Sequence, residues 1–246
     1  MENLYKKVAE TMINLKQCVA LTGAGISEES GIPTFRDKGG LWGKYDPMVY
    51  ASIDVFMKDP SKYWSLRDLF IKNSDDYKPN KAHYALKDLE EMEILRCVIT
   101  QNIDGLHIKA GSKNVIEIHG SIREIFCLKC NKKYETPNIP DGIPPYCSCG
   151  GVLKPNTVLF GEELPPEAIM KAKHESMTCK IMLLIGTSAI VYPAASLPHL
   201  AQQNGAQIVE INIERAFPNA DYYIEGKAGV VLPKIVDTIR TITIDR

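Results

Sequence analysis

The stretch "CVALTGAGIS", residues 18–27, decides the fold. Its first five residues are apolar or β-branched and end at a glycine, which is typical of a strand covered on both faces. Gly23 and Gly25 remove side chains where such a strand must turn sharply into a helix. Backbone N–H groups and the positive end of that helix would then face a crevice that suits a pyrophosphate. A plain tight turn explains this glycine motif equally well, because Glu28 stands where the dinucleotide fingerprint has a small residue.

The same alternation of strand and helix continues along the chain. Strands are predicted at "LRCVIT", "NVIEIHG", "KIMLLIGTS" and "QIVEINI", and helices at the N-terminus, "NKAHYALKDLEEM", "EAIMKAKHESM", "AASLPHLAQQNG" and "LPKIVDTIRTI". Residues 36–79 are aromatic and mixed, which favours an insertion of short helices. The alternation predicts an α/β fold, a parallel sheet with helices on both faces.

Composition limits the function classes. The chain has 246 residues, 45% hydrophobic and 24% charged, which fits one large domain or a main domain with a smaller insert. A net charge of -1 gives no field that would draw the molecule onto nucleic acid or a membrane. The N-terminus has no signal-peptide layout, and no apolar run approaches the roughly 20 residues of a membrane helix. We expect a cytoplasmic protein.

The seven cysteines divide into two groups. Cys18, Cys97 and Cys179 lie in or beside apolar stretches and are interpreted as small buried hydrophobic residues. The others form "CLKC" and "CSC": Cys127, Cys130, Cys147 and Cys149. In a cytosolic chain this pattern predicts zinc before disulfides, and four thiolates complete a tetrahedral shell with no open position. The C-x-C spacing of the second pair leaves open whether both of its cysteines are ligands. Residues 121–155, which hold these cysteines, would form a small metal-dependent module.

Polar residues follow several predicted strands. Gln101, Asn102 and Asp104 come directly after "LRCVIT", and ligands of open parallel sheets bind beyond the carboxyl ends of strands. An Asn and an Asp could equally satisfy a turn. His119 ends "NVIEIH", where a lone histidine is often structural but where imidazole also suits a general base. Further phosphate or ribose contacts are expected after the last two strands, from Gly186, Thr187, Ser188, Asn212 and Glu214.

Taken in order, these pieces resemble the sirtuin family of NAD-dependent protein deacylases, in its prokaryotic type. The resemblance runs from residue 20 to residue 229 through "GAGIS", "GIPTFR", "TQNIDGLH", the His-Gly pair, the cysteine quartet, "LFGE", "GTS" with "VYPAA", and "INIE". It implies a Rossmann-like NAD-binding domain made of residues 1–35, 80–120 and 156–246. The helical insertion 36–79 and the zinc-binding module 121–155 would form a small domain.

The resemblance also implies roles for individual residues. Contacts to NAD would come from Gly23, Ala24, Gly25, Ser27, Phe35, Arg36, Gln101, Asn102, Ile103, Asp104, Gly186, Thr187, Ser188, Asn212, Glu214 and Ala228. Acyl-lysine would enter beside Val158, Phe160, Gly161 and Val191. Asn102 and Asp104 would form a polar chamber for cleavage of the nicotinamide glycosidic bond, and His119 would deprotonate a ribose hydroxyl. One structural zinc per chain is implied.

The substrates implied are acetyl-lysine proteins or peptides, among them basic chromatin-type proteins. A subgroup that removes acidic acyl groups carries a Tyr and an Arg three residues apart in the insertion, and "KYWSLRDLF" has no such pair. Acetyl is therefore favoured over succinyl.

Three other functions fit parts of the sequence. A redox dehydrogenase would use the same glycine loop, but the fingerprint is incomplete and no acidic residue ends the next strand early. A zinc module that binds nucleic acid fits the lysines of "CLKCNKK", but the charge balance and the lack of interleaved aromatic and basic residues argue against it. Mono-ADP-ribosyl transfer to protein would use the same NAD chemistry with another acceptor.

Overall fold

The structure is a computed structural model that describes residues 2–34, 41–66, 76–136 and 138–244. Its larger part is a six-stranded, all-parallel sheet in the order β3-β2-β1-β7-β8-β9. These strands are β1 (Cys18–Thr22), β2 (Leu95–Thr100), β3 (Val115–Glu117), β7 (Ile181–Ile185), β8 (Gln207–Asn212) and β9 (Tyr222–Glu225). Successive strands are added to one side of β1 (β2, then β3) and to the other side of β7 (β8, then β9), so a crevice forms beyond the carboxyl ends of β1 and β7.

Helices cover both faces of this sheet, as the sequence predicts. One face packs against α1 (Glu2–Leu15), α6 (Lys81–Glu91) and α10 (Ala228–Ile244), and the other against α8 (Pro166–Thr178) and α9 (Leu197–Gln203). Alternate residues of β1 face opposite ways, with Ala20 in the first core and Leu21 in the second. All five residues of β1 and of β7 are buried, which explains their uninterrupted apolar sequence.

The second part of the molecule is a small antiparallel sheet in the order β5-β4-β6. Its strands are β4 (Gly120–Cys127), β5 (Lys133–Glu135) and β6 (Leu153–Thr157). Within the described residues of the predicted insertion lie four short helices: α2 (Leu41–Lys44), α3 (Pro47–Tyr50), α4 (Ile53–Lys58) and α5 (Pro60–Ser65). Phe56 and Trp64 from these helices share a core with Leu153, whose carbonyl accepts a hydrogen bond from the Trp64 indole at 2.9 Å.

Two local expectations need correction. The strand that leads to His119 ends at Glu117, and His119 lies in a turn. The reason is Gly120, whose φ of +73° turns the chain out of the large sheet. Gly120 then begins β4 and pairs with Thr157 of β6 in the small sheet. The glycine-rich turn after β1 leads into two 3-10 helices, Ala24–Ile26 and Glu28–Ser30, rather than a longer α-helix. A helix dipole therefore contributes little there.

Among the described residues, no helix is both long enough and apolar enough to cross a membrane.

Candidate active site

A cleft of ≈ 1310 Å³ runs along the carboxyl edge of the large sheet. Its wall combines residues that follow β1, β2, β7 and β8 with residues of α5 and of the segment after β6. Pockets for one small molecule usually hold about 300–1,000 Å³. The cleft therefore has room for an elongated ligand together with part of a second one.

Most of the residues predicted from the sequence line this cleft. They are Gly23, Ala24, Gly25, Gln101, Asn102, Ile103, His119, Val158, Phe160, Gly161, Gly186, Thr187, Ser188, Val191, Asn212, Glu214 and Ala228. Ser27 and Asp104 do not line it and are connected to it through hydrogen bonds to Asn102 and to each other. Phe35 and Arg36 fall outside the described residues. The tertiary structure thus gathers residues from nearly the whole chain length at one edge.

Two glycine loops, one after β1 with Gly23 and Gly25 and one after β7 with Gly186, are in backbone contact. The Gly25 N–H donates to the Gly186 carbonyl at 2.9 Å, and a Cβ at Gly25 would lie 2.9 Å from Gly186 Cα. Gly186 has a φ of +56°, in the left-handed region that favours glycine. The N–H groups of Gly23 and Ile26 also have carbonyl partners, at 3.1 and 3.2 Å. The loops therefore form a floor without bulky side chains, on which a phosphate can approach the backbone closely.

The polar residues after β2 form a connected network. Asn102 Nδ2 donates to the Gly23 carbonyl and to Ser27 Oγ, both at 3.1 Å. Ser27 Oγ in turn donates to Asp104 Oδ2 at 2.8 Å. Asn102 is nearly buried, at 6% exposure. These bonds fix the Asn102 amide on the cleft wall, with the Asp104 carboxylate behind it.

Asp104 is a partly buried carboxylate with several partners. Burial raises its pKa, while the N–H of Leu106, the hydroxyl of Ser27 and the charge of Arg123 act in the opposite direction. Its second oxygen, Oδ1, accepts the Leu106 N–H at 2.9 Å. The partners hold the carboxyl in one orientation and favour its ionised form against the effect of burial.

The loop after β2 orients the ring of His119. Its Nδ1 lies 2.9 Å from the Gln101 carbonyl oxygen. Because a carbonyl only accepts, Nδ1 carries the proton and Nε2 of the neutral ring is the proton acceptor. Burial lowers the pKa of His119, and the bond to Gln101 raises it by less. The ring therefore lines the cleft as a neutral imidazole with a basic Nε2 at neutral pH.

Side-chain hydrogen bonds join the loop after β7 to the loop after β2 and to the end of β8. Gln101 Nε2 donates to Thr187 Oγ1 at 2.9 Å, and Asn212 Nδ2 donates to the Thr187 carbonyl at 2.9 Å. The side chain of Glu210, fully buried, accepts the N–H groups of Ala216 at 2.5 Å and Phe217 at 3.1 Å. Glu210 thereby fixes residues 213–217, several of which line the cleft.

The segment after β6 forms the opposite rim. The Phe160 N–H donates to the Ala51 carbonyl at 2.9 Å, and the Ile53 N–H donates to the Phe160 carbonyl at 3.0 Å. Val158 is held by a bond from its N–H to the His119 carbonyl at 2.9 Å. This rim therefore joins the helical insertion to the His119 turn.

The four clustered cysteines have the geometry of a closed metal site. Their sulfurs all lie within 4.8 Å of one another, with Cys127–Cys149 at 3.5 Å and Cys130–Cys147 at 3.7 Å. Tetrahedral zinc with Zn–S bonds of about 2.3 Å requires S···S separations of about 3.8 Å. The Cys149 N–H and the Tyr134 hydroxyl lower the pKa of Cys147 to about 6, which favours the thiolate that a metal needs. The donor set fits one zinc ion, and both cysteines of the C-x-C pair belong to it.

Several residues of the site carried no recognised signal in the sequence. Tyr63 and Leu66 line the cleft from the insertion, and the Tyr63 hydroxyl lies 3.2 Å from Thr157 Oγ1. No local pattern connects residues 94 positions apart. Glu210 was detectable in principle, because a charged residue in the middle of "QIVEIN" requires a partner when the strand is buried.

Comparison with known proteins identifies close relatives. Residues 23–193 match the profile of the Sir2 family. NAD-dependent protein deacylase 1 of Archaeoglobus fulgidus is 46% identical over 243 residues, which cover 97% of this chain and 98% of the relative.

Solved structures agree with this match. A Sir2 homologue mutant in complex with ADP-ribose superimposes with a TM-score of 0.93 at 44% identity, over 98% of both chains. A Sir2 histidine mutant with a deacetylated p53 peptide and 3'-O-acetyl-ADP-ribose gives a TM-score of 0.90 at 35% identity, over 94% of this chain and 97% of the other.

Proposed function

Because the chain belongs to the Sir2 family, we propose that it is an NAD-dependent protein lysine deacetylase. It transfers the acetyl group of acetyl-lysine to ADP-ribose and releases nicotinamide, O-acetyl-ADP-ribose and the free lysine. One observation carries the proposal: His119 and Asn102 share a single cleft with the two glycine loops. The relative with a deacetylated peptide and 3'-O-acetyl-ADP-ribose holds two of the three products of this reaction.

NAD occupies the edge of the large sheet in this proposal. The residues that hold it are Gly23, Ala24, Gly25, Ser27, Phe35, Arg36, Gln101, Asn102, Ile103, Asp104, Gly186, Thr187, Ser188, Asn212, Glu214 and Ala228. The close contact of Gly25 with Gly186 supports this assignment, because it keeps bulky side chains away from the phosphates. When bound, NAD supplies the glycosidic bond to nicotinamide whose cleavage makes ADP-ribose available as the acetyl acceptor.

Asn102 and Asp104 serve the nicotinamide ribose. Asn102 is fixed by Gly23 and Ser27, so its amide is oriented before any ligand arrives. Asp104 contributes negative charge behind it, from a partly buried position. Preoriented polar groups stabilise a developing positive charge without having to reorganise.

His119 is the general base. The Gln101 carbonyl holds the Nδ1 proton, so Nε2 can accept a proton from a ribose hydroxyl in the cleft. The lowered pKa keeps the ring neutral, and therefore basic, at physiological pH. These two facts support the role predicted for this residue.

The peptide binds as an added strand at the rim. Acetyl-lysine enters beside Val158, Phe160, Gly161 and Val191, all of which line the cleft. Main-chain pairing makes sequence preference modest. Glu163 lines the same rim, so basic segments such as those of chromatin-type proteins fit as substrates.

The zinc ion supports structure and not catalysis. Cys127, Cys130, Cys147 and Cys149 would hold it with no open position for substrate. The small domain consists of residues 36–79 and 121–155, and the NAD domain of residues 1–35, 80–120 and 156–246. Thiolate ligation in place of disulfides fits a reducing compartment, and we place the protein in the cytoplasm.

The test is a product analysis. The purified protein is incubated with NAD and an acetyl-lysine peptide, and mass spectrometry follows nicotinamide, O-acetyl-ADP-ribose and the deacetylated peptide. We expect all three in equal amounts and none without NAD. Deacetylation at full rate without NAD, or reduction of NAD to NADH, refutes the proposal.

The matched variant is His119→Ala. It removes the base but leaves the glycine loops intact, so deacetylation is expected to fall by about 10²- to 10⁴-fold while ADP-ribose still binds. Calorimetric titration with ADP-ribose measures the second property. Near-normal turnover by the variant would end the assignment of His119 as the base.

A further inference from the structure

Arg123 of β4 reaches back from the small sheet onto the large one. Its Nη2 donates to Glu117 Oε2 at 2.8 Å, at the end of β3, and its Nε donates to Ser121 Oγ at 3.0 Å. The side chain also lies on Gly105, because a Cβ there would be 2.9 Å from Nε and 3.0 Å from Cδ. One side chain therefore contacts the end of β3, the start of β4 and the loop that carries Asp104.

The loop under Arg123 is the one that orients Asp104. Gly105 has a φ of +71° and precedes α7 (Leu106–Ala110), and the Leu106 N–H binds Asp104 Oδ1. A left-handed glycine has few conformational restraints of its own, so its geometry depends on what packs against it. Arg123 supplies that packing from outside, and the bond between Ser27 and Asp104 supplies it from inside.

The charges around Asp104 also connect this residue to Arg123. In the described part of the chain, the charged groups that act on it are Arg123 from β4 and Glu117 from the end of β3. Burial raises the pKa of Asp104, and the Arg123 guanidinium opposes that rise. Burial also raises the pKa of Glu117, with Arg123 again opposing it. The arginine thus sits between two carboxyl groups and favours the ionised form of both.

We propose that Arg123 is a positioning residue for the Asn102–Asp104 loop, and through it for the nicotinamide-ribose end of the NAD site. The inference rests on the proposed function and deepens it. Arg123 lies four residues before the first zinc-binding cysteine, on the same strand, so it also connects the metal module to the NAD-binding loop. An exposed ion pair with Glu117 alone would contribute little, because solvent screens it. The guanidinium matters because its flat fork bonds two partners while it covers Gly105.

The experiment compares Arg123→Gln and Arg123→Lys with Arg96→Gln in the zinc-loaded full chain. Arg96 is a suitable control, since it also forms an ion pair with a glutamate, Glu175, and a hydrogen bond to Thr178 at 2.7 Å. Its side chain is exposed to a similar degree, 33% against 45% for Arg123. It lies near the amino end of β2, at the sheet edge opposite the cleft. Glu117→Gln is a second variant that removes the partner and keeps the arginine.

We expect kcat/KM for NAD to fall about 10- to 100-fold in Arg123→Gln, because a small displacement of a group at the reacting centre has an effect of that size. KM for the peptide stays unchanged. Arg123→Lys and Glu117→Gln lose less, since each keeps part of the contact, and Arg96→Gln loses nothing in kcat/KM.

Each outcome decides between the alternatives. A wild-type protein without NAD-dependent deacetylation refutes the proposed function itself. An active wild type whose Arg123→Gln variant keeps its kcat/KM for NAD overturns the positioning role alone. Equal losses in Arg123→Gln and Arg96→Gln, or an equal rise in the KM values for NAD and peptide, reduce Arg123 to a stabilising residue and also overturn it. If Arg123→Gln does not fold, Arg123→Lys and Glu117→Gln decide by the same criteria.

Discussion

Gly186→Ala tests the contact between the two glycine loops directly. A Cβ at Gly186 would lie 2.5 Å from the Ile26 nitrogen and 2.7 Å from the Gly25 carbonyl carbon. Both neighbours are backbone atoms, so neither can rotate away. The residue also has a φ of +56°, which alanine adopts only with strain. The variant must therefore displace one loop from the other.

Gly205→Ala is the control variant that separates the strain of a left-handed alanine from the clash with the neighbouring backbone. Gly205 has a φ of +85°, but nothing lies within 4 Å of its Cβ position. It carries the left-handed strain of about 1–2 kcal/mol without the clash. Overpacking against the backbone adds about 1–3 kcal/mol at Gly186. The expected loss of stability is therefore about 1–2 kcal/mol for Gly205→Ala and about 2–5 kcal/mol for Gly186→Ala.

Thermal unfolding measured by circular dichroism distinguishes these values. In a chain of this size, 1 kcal/mol lowers Tm by about 2–4 °C, so the clash alone should separate the two variants by roughly 2–12 °C. KM for NAD should rise in Gly186→Ala and stay unchanged in Gly205→Ala, because only the first lies in the cleft. Equal Tm values, or an unaltered KM for NAD in Gly186→Ala, would show that the loops do not touch as described.

Two further predictions follow from the site. Because burial lowers the pKa of His119 below the ordinary 6.5, its ring stays neutral to lower pH, so the acid limb set by this base should lie below pH 6.5; activity that is already lost above pH 6.5 as this residue is protonated would contradict the assignment. Elemental analysis should find one zinc per chain, and both chelation and Cys147→Ser should unfold the small sheet and abolish activity; a metal-free protein with full activity would contradict a structural role for the ion.

The recognition of the site from sequence depended on residues whose signal is local. Gly23 and Gly25 follow a buried strand, and the cysteine pairs have metal-binding spacing, so neither needs knowledge of the rest of the chain. The prediction of a parallel sheet with helices on both faces is confirmed, because apolar periodicity is also a local property. The roles of individual site residues stay predictions.

Other features depended on contacts between distant segments. The end of β3 at Glu117, two residues before His119, follows from the pairing of Gly120 with Thr157. Asp104 lies behind Asn102 and does not line the cleft, because it is bonded to Ser27, 77 residues earlier in the chain. No pattern within one segment contains these distances.

The sequence by itself determined the strands β1, β2, β3, β7 and β8, the side chains that follow them, and the spacing of the cysteines as a metal-binding pattern. Strands β4, β5, β6 and β9, and the place of both Cys147 and Cys149 in the sulfur cluster, came only from the structure. The tertiary structure alone decided that Arg123 covers Gly105 and that Glu210 fixes the loop after β8. The physical reason is that strand formation and metal spacing depend on neighbours a few positions away. The partner of a buried or half-buried charge is chosen by the packing of whole elements, which brings together residues that are far apart in the chain.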